Sequence, residues 1–380
     1  MKKNLELNDK STKLLSAPWG ELVGAVNSGN NLVKGIYRYF INNLADASTN
    51  IINEKLLLCG IWLLENNNLL FHRRASYRDY QKIAELLFNN LAKIKKLKKL
   101  ELYYRFCLVA VYSDYFNSKL RAKNRYLKEL EAGLEYFKIR YLKKIGLSYL
   151  PDYFLGLIHR SQYYLFIGDL VSNNLLLNRA GNLLLKHKRE LSSNYQAFFY
   201  YHRAWAYYEC HRYPQALAAI NQGLLLKKQL TQEPIVLHSL NIKSAILFAL
   251  GKTSQCLKLA QKVHEAAGKV FTRQNQDVLA ESALNIAKCM YERGSNLVIA
   301  KKYASQALVK LNKLFMGKEV DISQAAANVL LGDIQQKLGN KKQAIGCYQA
   351  AYNTYRNNYK TNVANSSEYQ ALIAKLGIKL

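Results

Sequence analysis

The chain has 380 residues, 50% of them hydrophobic and 21% charged, which excludes a disordered or collagen-like polymer and supplies the apolar material for a packed core. With only 4 Pro and 19 Gly, and with Leu, Ala, Lys, Asn and Tyr abundant, the composition favours long helices and excludes an all-β fold of short strands and tight turns. The 55 Lys and Arg against 26 Asp and Glu leave a formal charge of +29, a property that speaks to solubility and anionic partners rather than to fold.

In chain order, the first twenty residues, MKKNLELNDKSTKLLSAPWG, contain two early lysines but no apolar block of secretory type, so no signal peptide is expected. Apolar spacing predicts helices over 31–44, 51–65 and 77–97, then a helical hairpin over 101–116 and 120–142. The most apolar runs, LLLCGIWLL at 56–64 and CLVAVY at 107–112, fall far short of the roughly 20 residues that cross a bilayer. Residues 1–145 are therefore expected to form a degenerate helical region stacked on the helices downstream.

Beyond residue 145, five turn-like dipeptides follow apolar helix patterns: Gly168-Asp169, His211-Arg212, Gly251-Lys252, Gly294-Ser295 and Gly339-Asn340. They are separated by 43, 40, 43 and 45 residues, a period expected of stacked helix pairs that cannot bury their apolar faces alone. In the last unit Leu331 and Gly332 lie on the first helix and Gly339 ends it, while Ala344, Tyr348 and Ala351 share one face of the second helix. The unit before residue 230 carries Ala204, Tyr207, Tyr208, Tyr213, Ala216, Gly223 and Leu224 in the corresponding places. Around Gly294 the small residues are Ala287, Ala300, Ala304 and Ala307; around Gly251 they are replaced by Cys256, Ala260 and Val263; around Gly168 stand Ser161, Tyr164, Asp169, Asn173 and Ala180. Finally, Ser366 precedes EYQALIAKLGIKL, with an apolar stripe through Tyr369, Leu372, Ile373 and Leu376 that suits a closing helix.

On these residues the region 153–355 resembles the tetratricopeptide repeat (TPR) family, with units longer than the usual 34 or so residues. The resemblance implies an all-α fold, a TPR-like right-handed superhelix of stacked antiparallel helix pairs, with about five pairs over 146–358 and a capping helix over 359–380. It also implies protein–protein interaction: a non-enzymatic scaffold, adaptor or assembly factor holding a peptide or helix in the groove lined by the first helix of each pair. On the aligned first helices, Tyr200, Arg203, Tyr207, Asn241, Lys243, Asn285, Lys288, Asn328 and Gln335 are expected to line that groove.

Nothing in the sequence announces catalysis. The motifs GxxxxGK[ST], GxGxxG, HExxH and GxSxG are absent, and no cofactor or metal is expected. His202, Glu209, Cys210 and His211 cluster in sequence, yet the neighbours point to different sides and His211 occupies a turn, so they read as a turn histidine and a core cysteine. Six cysteines spread singly, with no CxxC pair, fit a reducing interior: the cytoplasm, or an organelle matrix or stroma. The partner is expected to be another protein presenting an acidic or extended segment. An alternative is RNA or an anionic surface held by the basic stripe of Lys93, Lys95, Lys96, Lys98, Lys99, Lys119, Arg121, Lys123, Arg125 and Lys128. Most of the 28 tyrosines are expected to pack between helices rather than stack on bases.

Overall fold

A computed structural model describes residues 125–143, 147–166, 169–226, 233–269, 275–294, 296–314, 322–358 and 367–377. The helices expected over 31–44, 51–65, 77–97 and 101–116 lie outside the described residues. Two compact units divide the molecule, one including Lys123–His159 and the other Arg160–Leu380, so the division falls inside a helix.

The first unit contains α1 (Arg125–Leu142), a 3-10 turn (Leu147–Tyr149) and most of α2 (Leu150–Phe166). Phe137 and Phe154 are its large fully buried side chains. Tyr141 stacks on Tyr153 with ring centroids 5.7 Å apart, and Arg140 lies 3.6 Å over the Tyr136 ring. Pro151 and Asp152 occupy the first turn of α2, where a missing N–H costs nothing and a carboxylate meets the positive end of the helix.

The second unit continues from the last turns of α2 through α3 (Leu170–Lys186), α4 (Ser193–Glu209), α5 (Tyr213–Leu225), α6 (Glu233–Ala249), α7 (Thr253–Lys269), α8 (Asn275–Glu292), α9 (Leu297–Leu314), α10 (Ile322–Lys337), α11 (Lys341–Asn358) and α12 (Ser367–Leu376). Among the described residues every regular element is helical. Consecutive helices pack as α4 on α5, α6 on α7, α8 on α9 and α10 on α11, and each pair also meets the next through α5 on α6, α7 on α8 and α9 on α10. The first helices contact one another as well, in the series α4, α6, α8, α10.

The turns are built as the repeat predicts. His211, Gly251, Gly294 and Gly339 all take positive φ, at 57°, 72°, 61° and 79°. Three of the four close in the Schellman manner: Arg212 N–H reaches Tyr207 O while His211 N–H reaches Tyr208 O, and Lys252/Gly251 and Asn340/Gly339 repeat the pattern. Caps start the partner helices. Asp169 accepts from Ser172 N–H at 3.0 Å, and the Ser172 hydroxyl together with this N–H holds its carboxyl below the usual range; Asn296 accepts from Ile299 N–H at 3.1 Å.

Small residues set how closely the pairs approach. Ala280, Ala283, Ala287, Ala300, Ala304, Ala307 and Ala327 bring α8, α9 and α10 together around Leu284, Leu311, Leu330, Leu331 and Ile334. In the last pair, a Cβ on Gly332 would sit inside the Tyr348 ring, whose hydroxyl donates towards Asp333 (2.7 Å) and Gln336 (2.9 Å). Burial and the neighbouring Asp333 carboxylate push the Tyr348 phenol well up. Leu372 of α12 joins Ala344, Tyr348, Ala351 and Tyr355, so α12 covers the exposed side of the last pair.

Candidate partner-binding face

A first helix in this arrangement has three neighbours, and side chains sort among them by helical period. On α4, Ala197, Tyr200, Ala204 and Tyr207 face α5: the Tyr200 Cβ stands 3.1 Å from where a Cβ of Gly223 would be, and Tyr207 packs on the cluster of Ala204, Ala216, Ala219 and Ile220. Phe199 and Arg203 face α3, where they lie against Gly181. The remaining stripe, Phe198, Tyr201, His202, Trp205 and Glu209, is turned to the other first helices and to solvent.

The expected groove residues therefore divide. Tyr200, Arg203 and Tyr207 pack against second helices, and Arg203 spends two N–H groups on the Tyr207 hydroxyl, at 3.2 and 3.1 Å. Lys243 shares a stripe with Leu240 and Leu247, which belong to the clusters formed with α7. Gln335, 6% exposed, accepts from Asn340 Nδ2 at 2.9 Å and so staples the α10–α11 turn. Asn328 donates to Gln324 O within α10 at 3.0 Å. Asn241 and Asn285 meet each other between α6 and α8, and Lys288 is half-buried on α8. Of the basic stripe, Lys93, Lys95, Lys96, Lys98, Lys99, Lys119, Arg121 and Lys123 lie outside the described residues, while Arg125 and Lys128 fall on α1.

What joins the first helices is a ladder of polar and aromatic contacts. The Gln162 amide on α2 lies 3.0 Å from His202 Nδ1 on α4. His202 sits among rings, 4.3 Å from Phe198, 4.9 Å from Tyr201 and 6.3 Å from Trp205, and Tyr201 reaches His238 of α6 at 6.5 Å. Trp205 Nε1–H donates to Glu209 at 3.0 Å. His238 Nε2 then faces the Asp277 carboxylate of α8 at 3.6 Å. One turn further, Asn241 Nδ2 donates to Glu281 at 2.6 Å, and Asn285 Nδ2 donates to the Ser244 hydroxyl at 2.9 Å, which in turn donates to Asn241 O at 2.7 Å. Asn241 and Asn285 are 4% and 5% exposed, so each bond replaces water that these groups have lost.

Of the residues expected from sequence, Asn241 and Asn285 take part in these contacts, alongside Phe198, Tyr201, Trp205, His238, Asp277 and Glu281, which the sequence reading did not single out. Their signal is positional: they fall on the one first-helix stripe that lacks the small and apolar residues of the repeat. Such a face offers ring surface and hydrogen-bonding groups. Among the described residues no group of three or more His, Cys, Asp or Glu is placed to hold a metal ion, and His211 is the turn residue, bonded through Nδ1 to the Tyr213 hydroxyl at 2.7 Å. No helix among the described residues is long and apolar enough to cross a membrane.

No family model matches the chain, and no curated protein matches it in sequence. Solved structures match its fold. NprR in complex with its cognate peptide NprX superposes with a TM-score of 0.55 at 14% identity, covering 87% of this chain and 91% of that one. A Rap protein complexed with Competence and Sporulation Factor gives 0.56 at 12% identity, covering 97% and 99%. The apo form of the quorum sensor NprR from B. thuringiensis gives 0.51 at 15% identity, covering 90% and 80%. With its period, its αL turns, its small-residue seams and these neighbours, the chain is an all-α, TPR-like helical-repeat protein.

Proposed function

We propose that this chain is a non-enzymatic interaction protein, a scaffold, adaptor or assembly factor, and that it holds an extended or helical segment of another protein on the face shared by its first helices. The observation that carries the reading is the division of labour on α4. Two of its stripes are consumed by packing on α3 and α5, while the third presents Phe198, Tyr201 and Trp205 beside ordered polar groups. Aromatic rings next to fixed donors and acceptors are the ingredients of interface hot spots, because the rings contribute area at low entropic cost and the polar groups set register. Two of the structural neighbours, NprR and Rap, are described in complex with NprX and with Competence and Sporulation Factor, which supports a peptide as the form of partner.

The test is capture of the tagged full chain from native lysate, with and without nuclease, at about 0.1 M and 0.5 M salt to span the screening range. A defined protein set that survives nuclease and is lost on Trp205→Ala supports the reading. Capture of RNA that vanishes with nuclease or salt points instead to the basic stripe at 93–128, and a protein set indifferent to Trp205→Ala places the binding surface elsewhere.

A further inference from the structure

We propose that the first-helix face of α4, α6 and the start of α8 receives a basic side chain, arginine or lysine, from a peptide partner; this rests on the reading of that face as a peptide-binding surface and supplies its chemistry. The charge of the whole chain suggests the opposite, an acidic ligand. Locally the signs reverse. Tyr201, His202, Trp205 and His238 assemble a ring cluster across α4 and α6, and the Asp277 and Glu281 carboxylates of α8 adjoin it through His238 and Asn241. Asp277 and Glu281 are four residues apart, about 6 Å along the helix axis, so both stand on one stripe. Glu209 adds a third carboxylate beside Trp205. In a chain with about half as many acidic as basic residues, this stretch of the first-helix face gathers three acidic side chains around aromatic rings.

The physics of such a surface selects a cation. Ring faces carry negative quadrupole potential, worth about 0.5–2 kcal/mol to a cation depending on how far it is desolvated, and a guanidinium can stack on one ring while donating to a carboxylate. The internal bonds orient the acids for this. Asn241 fixes the Glu281 carboxylate, and the half-buried Asp277 side chain has His238 at its back, while burial pushes its carboxyl above the usual range. Of the cations carried by the neighbouring helices, Lys288 lies seven residues beyond Glu281, about 10 Å along the axis, and Lys310 of α9 is engaged by Gln276 at 3.3 Å.

The experiment pans a library of random 12-residue peptides on the intact chain, then titrates the best selected peptide against the wild type, Trp205→Ala and the double variant Asp277→Asn/Glu281→Gln. Helical circular dichroism and the unfolding midpoint of each variant are checked first, and the single variant Asp277→Lys, at a half-buried position, replaces the double variant should that one misfold. The expected result is enrichment of Arg or Lys at one peptide position and about a tenfold loss of affinity on neutralising the two acids. Changing that peptide residue to Gln should then weaken binding to the wild type but not to the double variant. Peptides that lack basic enrichment, or that ignore the acid variants while Trp205→Ala abolishes binding, overturn the cation inference and leave the peptide-binding face intact. A library that yields no peptide, or peptides indifferent to Trp205→Ala, overturns both.

Discussion

Each first helix in this molecule has two kinds of seam, and they are made of different material. Where α8 meets α9, the contact is mostly apolar and small-featured: Ala283, Ala287, Ala300, Ala304 and Ala307 let the backbones approach, with the Lys310–Gln276 bond beside them. Where α6 meets α8, hydrogen bonds among Asn241, Glu281, Ser244 and Asn285 run beside apolar contacts of Leu237 with Val278 and Leu279 and of Leu247 with Cys289. The first seam gains its stability from excluded water and close packing. The second gains little net free energy per bond, because water would satisfy the same groups, but it fixes how one repeat sits on the next. A solenoid can thus place its stability in one seam and leave the other for recognition.

This contrast can be broken from either side. The largest effect is expected in a seam within a helix pair: Tyr348→Ala empties the space over Gly332 and removes the bonds to Asp333 and Gln336, so urea unfolding should lose about 3–5 kcal/mol. In the polar seam, Asn285→Ala should cost only about 1 kcal/mol by the same assay, since Ser244 keeps its bond to Asn241 O. A loss as large as that of Tyr348→Ala would erase the distinction drawn between the seams.

The smallest expected effect is a pH dependence. His264 lies at the α7–α8 contact with Nδ1 3.0 Å from the Ser282 hydroxyl; burial, with Lys310 nearby, pushes its pKa below the ordinary histidine value. The unfolded chain therefore binds this proton more readily than the folded one, so stability is full above about pH 6.5 and declines as pH falls below it. Urea midpoints at pH 7.5 and 5.5 should differ less in His264→Gln than in the wild type.

The seams within helix pairs were legible because they are periodic. Gly332 with Tyr348, Gly339, and the alanines at 300, 304 and 307 recur at fixed offsets from a turn, and only small residues or an αL conformation fit there. His211 shows how far the pattern reaches: a histidine stands where glycine is usual, and it still adopts φ 57° with both turn-closing hydrogen bonds. The polar seam was half legible. Asn241 and Asn285 join the bonds between α6 and α8, whereas Arg203 and Tyr207 were aligned with them by the repeat and lie instead against α3 and α5. The reason is geometric: a one-residue difference turns a helical side chain by about 100°, so register errors too small to hide the repeat are large enough to change which neighbour a side chain meets. Trp205 and Glu281 carried only the positional signal of their stripe, because no repeat position demands their residue types.

The contacts among the helices of the second unit are short-ranged along the chain, each helix meeting its neighbour or the next but one. Such a body has low contact order and behaves as a spring with one coil per repeat: a pull along it is resisted coil by coil, and each coil can yield before its neighbours do. The cross-repeat bonds from Gln162 to His202 and from Asn241 to Glu281 set the stiffness of successive coils. A ligand lying over several first helices would act as a brace, converting a compliant array into a rod and making mechanical compliance itself a readout of occupancy.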